Sequence, residues 1–87
     1  MIGTRKDIFN WLLEHGEEQT FPTAISFFAR EGFLDDCVVE KQKGLRGAWK
    51  FDVEKAGKRI LWIREKQRVA RFTLKEIKDM LNQKQKS

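Results

Sequence analysis

Apolar positions recur at helical spacing through the first third of the chain and at period two through its middle. Thr4 followed by Asp7 approximates a capping box, in which the carboxylate returns to the backbone of the capping residue. Ile8, Phe9, Leu12 and Leu13 then fall on one stripe that Trp11 widens, and Gly16 is placed to end the helix in the left-handed conformation. This predicts a first helix over residues 5–15. Glu17 to Thr20 form a polar connection. Pro22 suits the first turn of a second helix, where its missing N–H has no partner to lose. Phe21, Ala24, Ile25, Phe28 and Ala29 give that helix an apolar face, and Gly32 before Phe33 predicts a Schellman ending.

Beyond Asp35 and Asp36 the pattern turns β-prone. Cys37-Val38-Val39 suggests a short extra strand. Trp49, Phe51 and Val53 alternate with Lys50, Asp52 and Glu54, which predicts a half-buried strand. Lys55 to Lys58 reads as a turn, with Gly57 supplying positive φ. Arg59 to Glu65 is then expected as a central strand and Arg68 to Phe72 as a third, joined through Lys66-Gln67. Thr73 with Glu76 makes a full capping box, flanked by Phe72 and Ile77 as a hydrophobic staple. Leu74, Ile77, Met80 and Leu81 form the stripe of a last amphipathic helix, and residues 82–87 read as a frayed tail.

The expected architecture is one α+β domain spanning residues 1–87. It has two N-terminal helices, a three-stranded antiparallel β-meander and a C-terminal amphipathic helix. In the meander, one face would hold Trp49, Phe51, Val53, Ile60, Trp62 and Val69, with Arg64 and Arg71 at its edge. A domain of 87 residues needs such apolar groups for its core, which leaves Trp49, Arg64 and Arg71 to reach the rim.

Charge adds what the pattern does not show. The net charge is +5, but residues 1–40 hold three basic and eight acidic side chains, whereas residues 41–87 hold fifteen basic and five acidic. So uneven a split points to a polyanion-binding surface in the C-terminal half. The glycine-flanked loop Lys41, Lys43 and Arg46 and the expected hairpin tip Lys55, Lys58 and Arg59 are the first candidates for phosphate contacts. Arg64, Arg71 and Trp49 stand behind them.

Other chemistry finds little support. His15 and Cys37 are the only histidine and cysteine, too few for a structural zinc site. Asp35 and Asp36 adjoin without further carboxylates. No phosphate-binding glycine motif is present, so no cofactor and no metal is expected. His15 reads as a capping residue of the first helix. A lone cysteine, no apolar leader and no membrane-length apolar run make a cytoplasmic protein the expectation, with no membrane partner.

Residues 27–63 also resemble the middle of RelE-type toxins. The resemblance lies in the Glu31-Gly32 turn, the lysine-rich loop, the Leu45-x-Gly47-x-Trp49 strand and the arginine-led Arg59-Ile60-Leu61. It implies a small basic ribonuclease that cuts messenger RNA on the ribosome, with an antitoxin partner. Asp52 stands where that family has an arginine, and no counterpart of its N-terminal strand precedes the first helix. Its C-terminal catalytic histidine, lysine or tyrosine has no counterpart either, because Thr73 onward reads as helix. Two N-terminal helices followed by a β-hairpin are also compatible with a distorted winged helix.

Three functions follow as expectations. The first is a small nucleic-acid-binding or regulatory domain, not an enzyme, that contacts DNA or RNA phosphates. The second is a RelE-like endoribonuclease or a degenerate relative. The third is an inhibitor or adaptor gripping an acidic protein surface, with a protein partner or a second copy of the chain completing the sheet.

Overall fold

The computed structural model describes residues 1–41 and 49–86. Strand β1 (Ile2–Gly3) leads into α1 (Arg5–Glu14), where the Thr4 amide donates to Asp7 Oδ2 at 2.9 Å. Helix α2 (Pro22–Arg30) starts on proline, as its sequence predicts. Both helices end in Schellman motifs. Glu17 N–H returns to Leu12 O and Gly16 N–H to Leu13 O; Phe33 N–H returns to Phe28 O and Gly32 N–H to Ala29 O. Gly16 and Gly32 take φ of 87° and 89°, the region a side chain disfavours.

A 3-10 turn at Asp35–Cys37 then feeds β2 (Val38–Glu40), the extra strand the sequence suggested. Strand β3 (Lys50–Asp52) lies in the middle of an antiparallel sheet of order β1-β3-β2. Buried Phe51 is opposite Gly3 on one side and Val38 on the other, and Glu40 faces Lys50. The fold is α+β with a three-stranded antiparallel sheet.

The strands of that sheet are not the expected ones. Residues 53–68, read as the end of one strand, a turn over 55–58, a central strand over 59–65 and a second turn at Lys66-Gln67, form the longest helix among the described residues, α3 (Val53–Arg68), and the expected third strand, Arg68 to Phe72, is absent. The Asp52 carboxylate caps it by accepting from the Lys55 amide at 3.2 Å. Val53, Ala56, Gly57, Ile60 and Ile63 are its buried positions, a spacing of three and four that fits a helix. Gly57 is therefore no turn residue. The Trp11 indole of α1 lies so close to its Cα that a Cβ would collide with the ring. The expected face of the meander dissolves with it: buried Ile60 and half-buried Trp62 and Arg64 lie on one helix, not on a sheet.

Helix α4 (Leu74–Lys86) opens on the predicted capping box, with Thr73 and Glu76 exchanging three hydrogen bonds of 3.0–3.2 Å. The segment before it turns through Arg71, whose φ of 60° makes it the one non-glycine in the left-handed region among the described residues. The core gathers Ile8 and Leu12 of α1, Ile25 and Phe28 of α2, Phe51, the inner face of α3, and Ile77 and Leu81 of α4. Helix α3 occupies the centre of this arrangement, against α1, β3 and α4.

Candidate nucleic-acid interface

The α1–α2 connection is set by one buried carboxylate. Glu17 is 4% exposed, and an ionised group so placed must be fully partnered. Arg68 at the end of α3 meets it with both terminal nitrogens, at 2.7 and 3.0 Å, and Thr20 Oγ1 donates to it at 2.9 Å. Arg64 Nε donates to the same hydroxyl at 2.9 Å and lies over the Phe28 ring, while its Nη1 reaches Gln67 Oε1. The Arg68 hydrogen bonds hold the Glu17 carboxyl below its usual range against the opposing effect of burial, and burial pulls Arg64 downward. Among the described residues, no buried side-chain polar atom lacks a partner.

A second carboxylate organises the exit from α2. Arg59 binds Asp36 in a two-pronged pair of 2.8 and 2.7 Å and donates to Phe33 O at 2.9 Å. Lys55 Nζ donates to Asp36 O and stands 3.6 Å from its carboxylate. The Arg59 hydrogen bonds draw the Asp36 carboxyl below its usual range. Lys78 of α4 donates to Glu31 O and lies over the Phe33 ring, so cations from two helices meet the carbonyl end of α2.

These contacts redistribute the expected phosphate-binding residues. Arg59, Lys55 and Arg64 hold the fold together rather than standing free. Lys58 is exposed and pairs with Glu54 one turn earlier. Arg71 is exposed in the α3–α4 connection, and Trp49 is half-buried against Phe51 with Lys41 Nζ 4.8 Å above its ring. Lys43 and Arg46 lie outside the described residues. The stretch that carries them joins Glu40 to Lys50, which face each other across the hairpin. Lys41 and Lys50 are both exposed where it departs.

The outer side of α2 is a surface that charge counting missed. Thr23, Phe27 and Arg30 are exposed there, beside half-buried Ser26, which accepts from Arg5 Nη1 at 2.6 Å. No carboxylate occurs from Gln19 to Arg30, although the flanking residues are acid-rich. The signal was in the sequence as the polar complement of the Ile25-Phe28-Ala29 stripe. Thr23 and Phe27, with Phe21, Phe28, Leu74, Arg64 and Gln67, also line an open groove of about 570 Å³.

Catalytic and metal chemistry gain nothing from the geometry. Among the described residues no group of histidine, cysteine and carboxylates could hold a metal. His15 caps α1 with Nδ1 2.8 Å from Trp11 O, and stacks on that indole at 3.7 Å between centroids. Cys37 is buried, and burial pushes its thiol up to about 11, which keeps it protonated and unreactive. No helix among the described residues is long and apolar enough to cross a membrane. No family model, no curated protein and no solved structure matches the chain.

Proposed function

We propose that this chain is a small nucleic-acid-binding domain, non-enzymatic, that meets its ligand with helix α2 and the basic β2–β3 connection. The observation that carries this reading is the order of the elements. Two packed helices, the second with an acid-free outer face, lead into a hairpin whose connecting residues include Lys41, Lys43 and Arg46. A strand preceding the helix pair completes the sheet as β1-β3-β2, the arrangement of a winged helix. In helix-turn-helix proteins the second helix enters a groove and the first crosses the backbone, while basic flanking residues neutralise phosphates. Here Glu17 fixes the connection between the two helices, and Arg30 on α2 and Lys41 and Lys50 beside the β2–β3 connection are exposed.

The test is a titration of labelled DNA and RNA at two salt concentrations, with wild type and a Lys41, Lys43, Arg46→Ala triple variant. Binding in the micromolar range or tighter at low salt, weakening as salt rises, is expected, and the triple variant should bind less. No binding to any nucleic acid at low salt refutes the proposal. Two alternatives predict different results. A RelE-like ribonuclease would arrest growth on expression and degrade RNA. An adaptor for an acidic protein, favoured by the apolar groove at Phe21 and Phe27, would leave nucleic acid unbound and co-purify with one stoichiometric protein after nuclease treatment.

A further inference from the structure

The outer side of α2 has a chemistry more specific than positive charge. Thr23, Phe27 and Arg30 follow one another at helical spacing and are all exposed, Phe27 by 38% of its surface. The helix buries the opposite stripe, Ile25, Phe28 and Ala29, so its orientation is fixed by the core. An aromatic ring and a threonine methyl thus stand side by side at the rim of the groove, with guanidinium groups at Arg30 and Arg5 on one side and Glu31 and Asp79 beyond Phe27 on the other. A surface adapted only to phosphates has no use for the two apolar groups.

The major groove of B-form DNA accommodates one α-helix and presents one apolar feature, the C5 methyl of thymine, which threonine methyl and phenylalanine side chains contact. Arg30, about two turns beyond Thr23, suits the acceptor edge of guanine or a phosphate. RNA lacks that methyl, and its deep, narrow major groove excludes side chains. Resting on the nucleic-acid reading above, we infer that α2 reads thymine methyl groups in the major groove of double-stranded DNA through Thr23 and Phe27.

Uracil substitution isolates this contact, because it removes the methyl and leaves base pairing intact. Sites are first selected from a random duplex library, and each thymine of the selected sequence is then replaced by uracil. The expected result is an affinity loss of about fourfold at each contacted position, the equivalent of one methyl group returned to water. Thr23→Ser, which keeps the hydroxyl and removes the methyl, should erase the thymine–uracil difference at one position. Phe27→Ala should erase it at another. Both side chains are exposed, and unchanged thermal melting would show that the variants fold. Equal affinity for thymine and uracil duplexes overturns the inference, as does equal affinity for an RNA duplex of the same sequence, while either result leaves general nucleic-acid binding intact. Absence of binding to every nucleic acid removes both.

Discussion

A single methylene decides how closely α1 and α3 approach. Gly57 lies under the Trp11 indole, where any Cβ meets the ring. In an exposed helix Gly→Ala gains about 1 kcal/mol of helix propensity. Overpacking a tight contact costs about 1–3 kcal/mol, and here the obstacle is a rigid bicyclic ring rather than a flexible tail. Gly57→Ala should therefore destabilise the domain, measured by urea unfolding, and Trp11→Leu in the same background should recover part of the loss. Glu17 supplies a pH signature at the same scale. Its folded pKa lies below the ordinary 4.5, so the stability it contributes is complete above that value and is lost as the pH falls through the folded pKa. Asp36 acts in the same direction below 3.8. Stability measured from pH 7 downward should fall through this range, and Glu17→Gln should flatten the part that begins near 4.5.

At the level of elements, α3 depends on the hand-over from β3. Asp52 is both the last residue of the strand and the cap of the helix, and Asp52→Ala should cost about 1 kcal/mol in chemical denaturation, as cap removals do. The same junction explains what the sequence concealed. Trp49, Phe51 and Val53 do alternate, and β3 is there, but the period changes at Asp52, one residue before the alternation ends. Arg59-Ile60-Leu61-Trp62-Ile63-Arg64 is a short apolar run that periodicity alone assigns to strand or helix equally well. Gly57 tipped it toward a turn, since the need for a bare Cα beneath Trp11 is a tertiary fact. Elements with their own local signals were legible: both Schellman glycines, Pro22, the Thr73–Glu76 box and the short Val38-Val39 strand. Of the site, the charge of the β2–β3 connection was readable from composition. The employment of Arg59 and Arg64 inside the fold was not, because Asp36 and Thr20 are remote in sequence and only packing brings them near.

Across the whole molecule, positive charge divides into two populations. Arg59, Arg64, Arg68 and Lys78 have internal partners, whereas Lys41, Lys50, Arg30 and Arg71 face solvent. The net +5 therefore does not separate the cations that the fold pairs internally from those it leaves exposed. If the β2–β3 connection contacts duplex phosphates, the slope of log affinity against log salt should drop by about one for each of Lys41, Lys43 and Arg46 replaced by alanine. Lys58→Ala, on α3 and paired with Glu54, should leave the slope unchanged. A slope indifferent to the loop residues would move the interface elsewhere on the surface.

Helix α2 is fastened at both ends, at its entry by the Glu17–Thr20–Arg68 cluster and at its exit by Lys78 on the carbonyl of the capping residue Glu31 and Arg59 on that of Phe33 just beyond. A short helix of nine residues has little intrinsic persistence in water, so these fastenings, together with its buried face, keep it formed before any ligand arrives. The entropy of ordering the backbone has already been met during folding. A ligand that met the outer face would dock on a preformed helix, with side chains alone left to lose freedom.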